Sequence, residues 1–282
     1  MADYSELDEI KQVELQLFRD FLACCEELHL RHYLIGGTLL GAVRHGGFIP
    51  WDDDIDLCMP RGDYERFLAE GQRFLPEYCF LQCRRTDPEL LCNYAKLRDS
   101  RTTFIEASVK KQHINHGVFI DVFPLDYAPE ARWKRRVLEA RKKLLTLRVR
   151  AAFTYLPENQ RSPAAERMGK LASRLLTLKY PRPEDALDAR EALYRSVPPS
   201  ALLANYCGAW GSREIVPAAW FGEGKELLFE GIPARVPTEY EKWLTQVYGD
   251  YMTPPPEDKR IQHHYTTVID LKRPYTDYCK AE

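Results

Sequence analysis

Pro50-Trp51-Asp52-Asp53-Asp54-Ile55-Asp56-Leu57 sets four acids within five positions, directly ahead of an apolar run that continues through Cys58 and Met59. Removal from water and mutual repulsion both oppose crowding ionised carboxylates beside a buried segment, so positive charge must sit among them. A divalent cation is the simplest source. If a strand begins at Asp54, the two-residue alternation puts Asp54 and Asp56 on one face, with Ile55 and Leu57 on the core-facing side. Two carboxylates about 7 Å apart along a strand suit the metal ions of phosphoryl transfer. An EF-hand loop does not fit. Asp52, Asp54 and Asp56 have its first spacings, but the turn position is Leu57 and the twelfth is Asp63.

A third ligand is expected from a neighbouring strand. Gly117-Val118-Phe119-Ile120-Asp121-Val122-Phe123 carries a lone acid in an apolar run, where an unpartnered carboxylate would be costly. Asp121 is therefore the third member, as metal ligand and candidate base. Upstream, Ile35-Gly36-Gly37-Thr38-Leu39-Leu40-Gly41 follows the short strand His32–Ile35 and opens a helix. Glycines there let the backbone approach an anion, and the helix start offers free N–H groups.

The rest of the chain reads as mixed helix and short strand. Apolar residues at three- and four-residue steps make one amphipathic helix of Tyr4–His29. Strands are expected at Ile55–Met59, Tyr78–Cys83, Tyr94–Leu97 and Gly117–Phe123, the last closed by Pro124, with a further one around Thr102–Ile105. A helix covers Gly62–Phe74. Beyond Pro129 the pattern turns helical, over Glu130–Ala152, Ala164–Lys179 and Pro183–Ser196. It then returns to a hairpin about Gly231, a helix over Thr238–Tyr248 and a proline-rich, basic loop from Tyr251 to Tyr265. The expected fold is α/β (α+β) with a mixed sheet. Its parts are a catalytic core over 1–129, a helical insertion over 130–205 and a segment over 206–282 that completes the unit.

A net charge of −2 gives no overall attraction to nucleic acid, so a basic site must be local. The first residues lack a basic and apolar leader, and no stretch approaches the roughly 20 apolar residues of a spanning helix, so a cytoplasmic protein is expected. Its cysteines sit mostly in apolar runs, where neither disulfides nor structural zinc are expected.

The order Gly-Gly turn, Asp-x-Asp strand, later single Asp is the pattern of the nucleotidyltransferase superfamily. The run from Gly36 to Asp56 more closely resembles the signature of the LicD family, which includes bacterial phosphorylcholine transferases and is related to fukutin and fukutin-related ribitol-phosphate transferases. The resemblance continues through Phe119–Asp126 and Tyr248–Arg260. It implies a polymerase-β-like core, Mg²⁺ (or Mn²⁺), a CDP-linked donor and a glycan or lipid-linked glycan acceptor, with Asp54, Asp56 and Asp121 as the catalytic triad. A diphosphate donor also needs cationic support. Candidates are Arg44, the same-face pair Lys96 and Arg98, and the tail residues Lys259, Arg260, His263 and His264, beside the Gly36-Gly37-Thr38 turn as the uncharged phosphate cradle. The rival readings are a true nucleotidyltransferase using an NTP and a non-catalytic metal- or glycan-binding protein.

The insertion carries Arg132, Lys134, Arg135, Arg136, Arg141, Lys142, Lys143, Arg148 and Arg150 against one acid, Glu139. Trp133, Val137, Leu144 and Leu147 would form its buried stripe. A solvated basic face explains the pattern; a peripheral contact with an anionic membrane, at its inner face, or with a lipid-linked acceptor is the functional alternative.

Overall fold

The computed structural model describes residues 5–150, 176–260 and 264–279. Helix α1 (Ser5–Glu27) buries Ile10, Leu17, Phe21 and Cys24, the stripe its periodicity marks, and Leu28 just beyond it is buried too. The strand, glycine turn and helix unit appears as β1 (Tyr33–Leu34) and α2 (Gly36–His45). Then come β2 (Asp56–Pro60), α3 (Arg61–Glu70), β3 (Cys79–Gln82), β4 (Ala95–Asp99), β5 (Thr103–Glu106) and β6 (Val118–Tyr127).

These strands build a mixed sheet in the order β1-β2-β6-β4-β3. Strand β2 runs parallel to β6, while β1 on β2, β4 on β6 and β3 on β4 are antiparallel. Helix α1 packs across β6 and β4, and α3 across β2 and β6. Pro124 does not end β6. The pairing with β4 stops at Val122 and that with β7 (Leu202–Ala204) starts at Asp126, so the proline lies in a gap with no ladder partner on that side.

The insertion holds α4 (Arg132–Arg150) and α5 (Pro183–Arg195), packed on each other around Leu138, Leu145, Val149, Leu187 and Tyr194. The expected Ala164–Lys179 helix lies largely outside the described residues. The buried stripe of α4 differs from the expected one: Trp133, Val137 and Leu144 are exposed, because α5 and Ala128 meet the face carrying Leu138, Leu145 and Val149. Arg61 ties the insertion to the sheet, donating to both carboxylate oxygens of Asp126 on β6 (2.8 and 2.6 Å) and to Glu191 on α5 (2.6 Å).

Strand β8 (Ile215–Pro217) continues the sheet from β7. Strands β9 (Lys225–Phe229) and β10 (Ile232–Val236) form the hairpin, with Glu230 and Gly231 both at positive φ (51° and 74°), as a tight primed turn needs. Helix α6 (Tyr240–Tyr248) ends at Gly249, and β11 (Thr266–Asp270) pairs with β5. Among the described residues no helix is long and apolar enough to cross a membrane.

Candidate active site

Register places the acids. In the parallel β2–β6 pair Asp56 stands opposite Asp121, and in the β4–β6 pair Lys96 stands opposite Asp121 as well. The strand begins at Asp56, not Asp54, yet Asp121 N donates to Ile55 O (2.9 Å) and holds the preceding segment against β6. Lys96 Nζ donates to Asp121 Oδ1 at 2.8 Å, both side chains 6% exposed, and lies 3.3 Å from the centre of the Phe119 ring.

The glycine turn serves the acids directly. A Cβ at Gly36, whose φ is +62°, would overlap Asp56 Oδ2, and one at Gly37 would overlap Asp52 Oδ2. The positive N-terminal end of α2 is thus brought against two carboxylates. Thr38, buried beneath them, accepts a hydrogen bond from Asp56 N (2.8 Å). Its hydroxyl holds the strand.

Among the described residues, the carboxylates whose oxygens converge within 4.8 Å of one another are those of Asp52, Asp53 and Asp54; Asp56 and Asp121 lie beside them on the sheet. Burial, then the charge of Asp52, pushes Asp54 up to about 7. Burial and the fields of Asp54 and Asp121 drive Asp56 well above the carboxylate range. Helix α1 adds Glu14, 2% exposed, its Oε2 without a hydrogen-bond partner, and raised by burial and by Asp54 and Asp53. Against these acids stand Lys96 on Asp121, Lys11, whose Nζ donates to Pro50 O (3.0 Å), and His264. Burial opposes charge on His264, but its contact with Asp53 (Nδ1 to Oδ1, 3.2 Å) and the fields of Asp54 and Glu106 prevail and raise the imidazole to about 10. The remaining excess of buried carboxylate oxygens fits a hard divalent cation, whose ligands are oxygens.

Above the acids opens a cleft of about 630 Å³. Gly36, Gly37, Arg44, Lys259 and His264 line it together with Asp54, Asp56 and Asp121. Arg44 donates to Tyr251 O (2.9 Å), which fixes its guanidinium at the rim. Arg260 does not line the cleft but sits 5.1 Å from the ring of Trp51, which does. Two expected phosphate ligands are engaged within the protein. Arg98 is fully buried, its guanidinium 4.6 Å from the centre of the Phe119 ring and donating to Gln82 Oε1 and Gly117 O (both 2.6 Å). Lys96 is spent on Asp121. His263 lies outside the described residues.

Sequence reading missed Glu14 and the aromatic wall of Tyr94, Phe123, Trp210 and Tyr248. Glu14 had a signal, since it falls in the 10, 14, 17, 21 stripe of α1, where an acid interrupts an otherwise apolar face. The aromatics had none, because they come from separate segments.

A family model described as "LicD/FKTN/FKRP, nucleotidyltransferase domain" matches residues 29–150. Over 263 residues, 92% of this chain and 96% of the relative, the sequence is 31% identical to the lipopolysaccharide cholinephosphotransferase LicD of Haemophilus influenzae. The chain belongs to the LicD family. A shorter stretch of 32 residues, 11% of this chain and 6% of the relative, is 59% identical to the human ribitol 5-phosphate transferase FKRP.

In this LicD-family protein the wall residue Trp210 is held by an acid. Its backbone N donates to Glu214 Oε1 at 2.9 Å, and burial raises Glu214 to about 7. The folded value exceeds the unfolded one of about 4.3, so the folded state binds the proton more tightly. Stability from this group is full below about pH 4.3 and is lost as pH rises towards 7. Glu214→Gln keeps the acceptor and removes the ionisation. Its melting temperature should match the wild type at pH 4 and exceed it at pH 8, by up to about 3 kcal/mol in stability. Parallel melting curves of the two proteins across that range would contradict this.

Proposed function

We propose that this protein moves a phosphate-linked head group from a CDP-activated donor to a glycan hydroxyl and releases CMP, with Mg²⁺ or Mn²⁺ held by Asp54, Asp56 and Asp121. The observation that carries the reading is the in-register pairing of Asp56 with Asp121 at the floor of the cleft, next to Asp54, in a chain that shares nearly its whole length with a cholinephosphotransferase. A bound cation would neutralise phosphate oxygens as negative charge shifts towards the leaving group. The chain's own groups do the rest. Arg44 and Lys259 at the rim attract the donor's diphosphate, while the buried carboxylates exclude any anion from deeper positions. In the transfer, the acceptor oxygen bonds to the head-group phosphorus, the bond from that phosphorus to the bridging oxygen breaks, CMP departs, and the hydroxyl proton passes to a cleft carboxylate.

The wall of Tyr94, Phe123, Trp210 and Tyr248 favours phosphocholine over an alditol phosphate, since aromatic faces attract a quaternary ammonium. CDP-choline, CDP-ribitol and CDP-glycerol incubated with protein and Mg²⁺ should show CMP release fastest from CDP-choline. Release of pyrophosphate from an NTP, with no CMP from any of the three, would instead establish a nucleotidyltransferase.

A further inference from the structure

Beyond Trp210 lies a second concavity of about 730 Å³, between α4 and the turn at Ala209–Ser212. Arg132, Arg135, Arg136 and Lys143 line it from α4. Arg132, Arg136 and Lys143 are exposed, and among the described residues no acid lies within ion-pair distance of them. Glu139, the acid in the same wall, is taken by Lys142 at 3.2 Å, and Arg135 donates to the carbonyls of Pro129 and Glu130. Four basic residues of α4 therefore line one pocket, and three of them, Arg132, Arg136 and Lys143, have no acid within ion-pair distance among the described residues.

Ala209 and Trp210 line both this pocket and the acidic cleft. The Trp210 ring is steadied edge-on by Tyr248, at 4.9 Å between centroids, and remains 43% exposed. A large aromatic face kept in place yet open to solvent offers a stacking surface to the apolar side of a sugar ring. The order is thus carboxylates, aromatic platform, cations. The donor's own diphosphate has Arg44 and Lys259 inside the cleft and does not need a second cationic pocket past the aromatic wall.

We infer that this pocket is the acceptor subsite and takes an acidic saccharide, with Arg132, Arg136 and Lys143 gripping a phosphate or carboxylate on one sugar while Trp210 carries the sugar whose hydroxyl faces the carboxylates. The inference rests on the transferase reading above. A saccharide is favoured over a lipid surface because the cations line a concavity, whereas the exposed apolar residues of α4 that a bilayer would take, Trp133, Val137 and Leu144, are not among its lining.

The test is calorimetric titration of the full chain, without divalent metal, with glucose 6-phosphate, glucuronate, glucose and inorganic phosphate. At least one acidic sugar should bind about tenfold more tightly than glucose or inorganic phosphate, and which one identifies the recognised group. The triple variant Arg132→Gln/Arg136→Gln/Lys143→Gln, altered at exposed helical positions, should lose that advantage. Trp210→Ala should weaken the acidic sugar and leave inorganic phosphate unchanged. Equal binding of glucose, inorganic phosphate as tight as both acidic sugars, or undiminished sugar binding by the triple variant would overturn the assignment. Loss of sedimentation with phosphatidylglycerol vesicles by that variant, its sugar binding intact, would reassign the cations to a membrane. Sugar binding of the expected pattern without CMP release from any donor would remove the proposed reaction and leave the acidic-saccharide site standing.

Discussion

Asp56→Asn should lower CMP release by about a thousandfold or more, the scale at which loss of a preorganised charge contact to a transferring group is felt. The same change should not harm the fold. Asp56 is half-buried beside Asp54 and Asp121, whose charges oppose its ionisation, so a neutral side chain of the same shape relieves repulsion. Without metal the variant should melt at or slightly above the wild type. The stabilisation that Mg²⁺ or Mn²⁺ gives the wild type should shrink or vanish, since a ligand that binds only the folded state stabilises it by an amount that grows with the logarithm of its affinity. Turnover near the wild-type rate would show that the acid facing Asp121 is not part of the catalytic centre. A protein that fails to fold would show that its role is structural.

Lys96→Met should be the most destabilising single change in the cleft floor. The Lys96–Asp121 pair is almost fully buried at 2.8 Å, and removing its cation strands Asp121 beside Asp56 and Asp54. Breaking a buried pair from one side costs about 3–5 kcal/mol, most of it the penalty of the charge left behind. Two further measurements separate this from lost packing. The double variant Lys96→Met/Asp121→Asn should recover a large part of the loss, because no charge is then left uncompensated. Added Mg²⁺ should recover part of it in the single variant and none in the double. Denaturant unfolding within about 1 kcal/mol of the wild type for Lys96→Met would show that Asp121 finds its compensation elsewhere.

Both results depend on a charge balance that local sequence states only in part. The run Asp52–Asp56 announces an excess of negative charge, and Asp121 announces a buried acid, because each stands within a few residues of an apolar segment that must be covered. The helical stripe of α1, the strand, turn and helix at Gly36, and the hairpin at Glu230-Gly231 are legible for the same reason. Their period or turn chemistry is complete within a dozen residues.

The tertiary structure decided which charges meet. Lys96 and Arg98 share a strand face, yet one closes on Asp121 and the other on Gln82 and Gly117, since β6 and β3 present different partners at successive registers. Glu14 and Lys11 reach the acids only because α1 crosses the sheet there, and His264 reaches Asp53 only because β11 pairs with β5. The face of α4 that is buried followed α5, not the helix's own apolar residues at 133, 137 and 144. Alternation and periodicity act over neighbouring residues and are written in the sequence. The partner of a buried charge is set by sheet order and helix docking between segments up to 211 positions apart, which no local pattern encodes.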